Sequence, residues 1–443
     1  MRRLAVVAAL WASALTPRLA LGNGRPPATN GVQFSRADPR SIYVASTFGL
    51  LVSKDAGCSF HWVCEDNVRY RGMFDPIWRV TPDAIFATTV EGLRISHDGG
   101  CSFTTATEAL PAGAPGRIAD KWIAGLDISP TGDVWVATAD SGKPNDVYRS
   151  IDGGATFAPS GLASPTIWWR SLLVAPGRAA RVYVTGYEVA GTAPDGGTRP
   201  PATHVRITDD LGARWTESPL AGVMFAPVPL VLVVGVDRDN PDIVLLRSAG
   251  ANPPQGDRLY RSTDGGVTWA EVLATAAPIA DVAMTRAGGV LVATTGGGAF
   301  RSSDHGATFG ELAGAPQLGC IGEAADGTLY GCGANWEPDF KAVARSSDGA
   351  AWSKVFRFVE LAGPLDCPAG TAEHDVCGAQ WPAVKEQFGA TGASSCEPVL
   401  NDDVAAPAKK PGAGCCDAGR TDGFGALALV AALTGFGVLR RRR

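Results

Sequence analysis

"RSTDGGVTW", Arg261 to Trp269, reads as a polar turn between two strands. Aspartate accepts hydrogen bonds from turn amides, glycine supplies a positive φ, and a terminal tryptophan buries against the flanking strands. Its recurrence decides the fold. "SHDGGCSF" (96–103), "SIDGGATF" (150–157) and "SSDHGATF" (302–309) repeat the phrase, and further copies start at Ser53, Thr208 and Ser346. The Thr208 copy places Asp209-Asp210 before Leu211-Gly212 and ends at Trp215; the last, Ser346 to Trp352, is one residue short. Seven copies lie roughly 40 to 58 residues apart, the period of one four-stranded unit repeated around a ring.

The intervening segments agree. "IYVAS" (42–46), "IFATT" (85–89), "VWVAT" (134–138), "VYVTG" (182–186), "IVLLR" (243–247), "VLVAT" (290–294) and "LYGCG" (329–333) are β-branched, alternating segments that suit half-buried second strands. The expected fold is all-β: a seven-bladed β-propeller of four-stranded antiparallel blades, from about Gly31 to Leu361. The turns resemble the Asp-box, the Ser-x-Asp-x-Gly-x-Thr-Trp hairpin of sialidase-like propellers. That resemblance implies structural roles for Asp55, Asp98, Asp152, Asp210, Asp264, Asp304 and Asp348.

Composition fits. Charged residues are 19% of 443, below the roughly 25% of an average soluble chain, and glycine reaches 55. Net charge is −5 and the body holds no basic block, which argues against nucleic acid as a partner.

Both ends read as processing signals. A basic start, an apolar run from Leu4 to Leu15 and small residues near Gly22 make residues 1–22 a secretory signal peptide. Residues 23–361 are the propeller, 362–398 a cysteine-containing segment with "WPAVKEQF" (381–388) as a short helix, and 399–413 a Pro- and Ala-rich linker. Residues 414–443 begin Gly414-Cys415-Cys416-Asp417, continue through an apolar run of roughly 24 Å if helical, and end in four arginines. This tail resembles the myxobacterial C-terminal sorting signal. The resemblance implies export, processing at Cys415 or Cys416, and a propeller held outside the cell by a membrane helix. A plain tail anchor is the other reading.

Ten cysteines in an exported chain imply disulfides. Cys320 and Cys332 flank the turn at Asp326 symmetrically and should bridge adjacent strands. Cys58, Cys64 and Cys101 form one odd group and Cys367, Cys377 and Cys396 another, so with all paired one bridge must join the groups. No Cys-x-x-Cys pair exists and the five histidines are scattered, which leaves no metal or cofactor indicated.

The repeated turns join third to fourth strands on one face of the ring. Long second-to-third loops (139–146, 187–204, 248–257) open on the other, where binding residues collect on a rigid scaffold. The ligand-binding candidates there are Trp122, Trp168, Trp169, Arg170, Tyr187, Glu188, Trp336, Glu337 and Asp339, aromatic rings with charged neighbours that suit a glycan or peptide. "DRDNPD" (237–242) looks like a calcium loop but occupies a first-to-second-strand turn.

Sialidases use three arginines, a Tyr–Glu pair and an Arg-Ile-Pro element ahead of the first box. Here that region reads Arg36-Ala37-Asp38-Pro39-Arg40, and only Arg79 and Arg170 fall on innermost strands. The tandem propeller hydrolases of plant wall glucans need two rings, and this chain has length for one. The resemblance therefore implies the fold and not the catalysis. The reading is a surface-anchored binding module; a sialidase-like glycoside hydrolase and a structural envelope protein are the alternatives. Deleting residues 414–443 is expected to release folded propeller into the medium or periplasm, and retention in the membrane fraction would contradict the sorting tail.

Overall fold

The computed structural model describes residues 25–70, 74–192, 195–224, 230–250 and 256–396. The signal peptide, the linker and the tail with Cys415 and Cys416 lie outside them. Seven antiparallel sheets follow one another along the chain: blades one (29–64), two (78–105), three (123–159), four (167–217), five (231–274), six (279–311) and seven (320–356). Within each blade the strands pair in sequence order, from innermost to outermost. The seven second strands stand where the sequence put them, with ends shifted by a residue or two. In blade four they run further: Val182–Glu188 and Ala202–Thr208 pair over their whole length, so Tyr187 and His204 belong to strands and not to a loop.

The recurrent turn is a closed hydrogen-bond unit. Ser262 donates to Asp264 at 2.8 Å and accepts from the Gly266 amide at 2.8 Å. The Thr268 amide donates to the same carboxylate oxygen at 2.9 Å, and the Thr268 hydroxyl donates to the other at 2.6 Å. Those bonds, the hydroxyl's first, hold the Asp264 carboxyl down at about 2. The hydroxyl-to-carboxylate bond recurs in all seven turns, at Asp55, Asp98, Asp152, Asp210, Asp264, Asp304 and Asp348.

The unit also rivets each blade to the one before. Gly266, at φ 94°, lies so close to Ile207 of blade four that a Cβ would stand 2.8 Å from its side chain. Trp269 is 8% exposed and donates its indole N–H to Ser218, at the end of blade four, at 2.9 Å. Trp215 likewise donates to the Ser160 carbonyl, just past blade three. Near the axis, innermost-strand side chains peg the next blade's amides. Asp127 accepts from Val174 at 2.9 Å, Ser171 from Val233 at 2.9 Å, and Asp281 from Ile321 at 2.7 Å. The Asp237 turn is structural too: one carboxylate oxygen caps the amides of Asp239 and Asn240, and the other meets His305 of blade six at 2.6 Å.

All four strands of blade one come from the N-terminal end, so no strand is shared to close the ring. The C-terminal segment does this instead. Gly363–Pro364 adds in parallel to the outer strand of blade one, and a helix, Gly378–Phe388, packs beside it. The helix begins three residues ahead of the expected one. Four disulfides form among the described residues: Cys320–Cys332 as expected, and Cys58–Cys396, Cys64–Cys377 and Cys101–Cys367. Three bridges, not one, join the two odd groups. The segment runs back across blades one and two, and each cysteine meets a partner in reversed order.

Replacing Trp269 with alanine should cost about 3–5 kcal/mol, as truncation of a buried large aromatic does. A denaturant midpoint corresponding to less than about 1 kcal/mol would show that the turn does not rivet blades as described.

Candidate functional site

Five of the seven innermost strands carry a β-bulge at an equivalent place, where one residue drops out of register with the second strand. The displaced residues are Asn30, Ala124, Arg170, Val234 and Ala280. A bulge turns its extra side chain away from the ladder. Four of these side chains are small or uncharged, and the fifth is an arginine.

The Arg170 guanidinium lies 4.5 Å over the indole of Trp122, which leads into the innermost strand of blade three. Trp122 meets Trp168 edge-on at 6.3 Å and Phe74 at 4.8 Å. Trp168 packs on Tyr187, its cross-strand partner, at 5.6 Å. Trp168 and Tyr187 are buried and Trp122 is half-buried. The loop of blade three holds this cluster in place. Asp140 accepts from the Trp122 amide at 3.1 Å, and the fully buried Asn145 brackets Asp140 through its backbone.

Electrostatics single out Arg170. Its Nε and Nη1 are enclosed, and neither has a hydrogen-bond partner among the described residues. Burial pulls its pKa down, with the nearby Tyr187 opposing. Other arginines along the inner part of the ring are paired: Arg79 with Asp127 at 3.0 Å and Arg247 with Asp257 at 2.6 Å. The carboxylates nearby hold backbone. Asp146 takes the amides of Val147 and Leu162 at 2.8 and 2.9 Å, and burial raises both Asp140 and Asp146.

A small cleft beside Trp122, lined by Tyr70, Phe74, Thr88 and Val90 among others, leads outward. Val90 also lines a groove of about 480 Å³ with Glu91, Asp66, Arg69 and Val376 of the closing segment. Val90 and Glu91 form the second-to-third-strand turn of blade two, so cluster and groove share the face free of the recurrent turns.

The structure thus gathers Trp122, Trp168, Arg170 and Tyr187. It does not gather the rest. Trp169 points to the opposite side of its strand, is 1% exposed and donates to the Leu162 carbonyl at 3.1 Å in the core between blades three and four. Glu188 is paired with Arg199 at 3.2 Å. Trp336 packs on Phe358 at the ring's seam, and Asp339 accepts the Gln317 and Ala334 amides at 2.8 and 3.3 Å. Glu337 is exposed beside them. The candidate rings Trp168, Trp169, Tyr187 and Trp336 therefore do not surround one mouth. Phe74, Asp140 and Asn145 belong to the cluster and were not singled out in the sequence. Asp140 and Asn145 fall within the long 139–146 loop, whereas no pattern marks Phe74. One grouping of metal-type donors occurs among the described residues, Cys64, Glu373 and Cys377, and its two sulfurs are joined to each other.

No family model matches the chain. Xyloglucanase Xgh74A of Acetivibrio thermocellus is 28% identical over 155 residues, which cover 32% of this chain and 16% of that protein. Among solved structures, the GH74 xyloglucanase from Xanthomonas campestris aligns at 15% identity over 74% of this chain and 66% of its own, with a TM-score of 0.40. YCF48 from Cyanidioschyzon merolae aligns at 14% identity over 69% of this chain and 92% of its own, with a TM-score of 0.46. The chain spans a small part of the curated relative it matches, and its propeller stands on its own sheet order.

An unpartnered buried cation costs stability, whereas a structural arginine would supply it. Arg170→Met is therefore expected to change stability by between nothing and a gain of about 1 kcal/mol. A loss of about 1 kcal/mol or more in a urea melt would assign Arg170 to the scaffold.

Proposed function

We propose that this chain is an exported, surface-anchored propeller that recognises a glycan on the face free of the recurrent turns. The observation that carries this is the Arg170 guanidinium, without a hydrogen-bond partner among the described residues and stacked on half-buried Trp122, which itself lines a cleft on that face. Surfaces of this kind offer polar donors beside apolar walls, the mix that fixes a sugar's orientation. The match to a xyloglucanase favours a glycan over a peptide, which is the second ligand class. In the same reading the turns are Asp-boxes, and residues 414–443 sort the propeller to the cell surface.

The hydrolase alternative needs two carboxyl groups free to act as acid and base. Around the cluster, Asp140 and Asp146 hold backbone amides and Glu188 is paired with Arg199, which supports binding without cleavage. An envelope protein with a purely structural role would have no use for an arginine that lacks a hydrogen-bond partner among the described residues and rests on a half-buried tryptophan.

A glycan array probed with residues 23–413 is expected to show a defined set of ligands. Trp122→Ala and Arg170→Met should each weaken binding to that set by about tenfold or more, the loss of a stacking or charge-assisted contact. New reducing ends from a bound glycan would favour the hydrolase. An array without ligands, or variants that bind as the parent does, would contradict the proposal.

A further inference from the structure

The closing segment contains a second ionisable group that the recognition face does not use. Glu373 is fully buried and opens a wide helical turn, Glu373–Cys377, that places it one turn before Cys377. One carboxyl oxygen, Oε2, lies 2.8 Å from the Cys377 sulfur and accepts from Asn67 at 3.0 Å and from the Cys64 amide at 3.4 Å. The other, Oε1, is enclosed and without a partner among the described residues. A disulfide sulfur carries no proton. A hydrogen bond across the 2.8 Å contact must therefore be donated by the carboxylic acid.

The three bridges of the seam differ in access. Cys58–Cys396 includes the exposed Cys396, and Cys101 and Cys367 are each 7% exposed. Cys64 and Cys377 are both 0% exposed. Thiol–disulfide exchange needs a thiolate, and an ordinary thiol loses its proton near pH 8.5. In the docked segment solvent has no access to the Cys377 sulfur.

We propose that Glu373 is the internal proton acceptor for Cys377 when the Cys64–Cys377 bridge closes, and the acid that caps the finished bridge. The oxidant is a small disulfide, such as oxidised glutathione, already joined to Cys64 as a mixed disulfide. Glu373 carboxylate takes the Cys377 thiol proton. The thiolate attacks the Cys64 sulfur, the Cys64–Cys377 bond forms, and the bond to the small thiol breaks with its electron pair leaving on that thiol. The proton stays on Glu373, and solvent supplies the one that the departing thiolate picks up.

Docking itself prepares the base. In an open segment a carboxylate is too weak a base for a thiol. Burial pushes Glu373 up to about 7, with Asn67 and the Cys64 amide pulling back. The charges around it are occupied elsewhere or face outward. Asp66 accepts from Gln380, Glu65 sits on the same short helix, Arg69 lines the groove, and His374 and Asp375 pair with each other at the surface.

The test is to reduce the full chain and reoxidise it with oxidised glutathione between pH 6 and pH 9. Alkylation at timed intervals and mass spectrometry then read, for each bridge separately, the rate at which its mixed-disulfide form converts to the closed bridge. In the parent, Cys64–Cys377 should close only about fourfold faster at pH 8 than at pH 6.5, as Glu373 loses its proton around pH 7, whereas Cys58–Cys396 should speed up about tenfold per pH unit, as thiolate supply dictates. Glu373→Gln should slow Cys64–Cys377 at least about tenfold at pH 6.5, leave Cys58–Cys396 unchanged, and approach the parent near pH 9. Glu373→Asp should recover part of the rate. An unchanged Cys64–Cys377 rate in a folded Glu373→Gln protein overturns the proposal. If that variant does not fold, the parent decides, because a Cys64–Cys377 rate that climbs with pH as steeply as Cys58–Cys396 also overturns it.

Discussion

Closure of the ring is the constraint on which the rest depends. Blade one is complete within residues 29–64, so its meeting with blade seven is a contact between finished sheets. That contact has substance: Phe60 packs on Phe356 at 4.5 Å, Thr29 donates to the Ala342 carbonyl at 2.6 Å, and Gly57 leaves room for Val355. Yet packing of this kind joins every blade pair in the ring, and this pair alone lacks a short chain connection. The C-terminal segment supplies it with a parallel strand, a helix and three disulfides that span 266 to 338 residues. Bridges over such long loops restrict the unfolded chain more than short ones do.

A ring clasped in this way presents two unlike faces. On one, seven turns have their aspartates, hydroxyls and aromatics engaged with each other or with the preceding blade. Little remains there to meet a ligand. On the other, loops of unequal length end the blades, and bulges in the innermost strands turn single side chains out of the ladder. Arg170 is the bulge residue that matters, since the other four are small or uncharged. The clasp also reaches this face, because Val376 of the closing segment lines the groove beside Arg69 and Val90. Closure and recognition thus share residues at the seam.

Much of this was legible in the sequence, for a physical reason. A turn that must satisfy one carboxylate, one hydroxyl and one positive φ tolerates few residues, so "STDGG" and its variants stand out wherever a blade ends. Second strands were legible from their β-branched residues, although they are buried on both faces and not half-buried as the alternation suggested. The site was legible only in part. Trp168, Trp169 and Arg170 are consecutive, and strand alternation alone separates Trp169 from Trp168. The bulge then releases Arg170 from that alternation, and nothing in "WWR" marks a bulge. Glu188 and Asp339 looked available until the extended hairpin of blade four and the loop of blade seven engaged them. The bridges joining both ends could be counted modulo two but not paired, because pairing depends on the path of a segment with no repeat.

The clasp is tested most directly by hydrogen exchange on a chain that ends after Leu361, compared with the full chain under the same conditions. Loss of the closing segment should raise exchange in strands Thr29–Phe34 and Ser353–Phe356 by about tenfold or more, ahead of blades three to five, because opening then starts at the seam. Blades one and seven that stay as protected as in the full chain would show that sheet packing closes the ring without the segment.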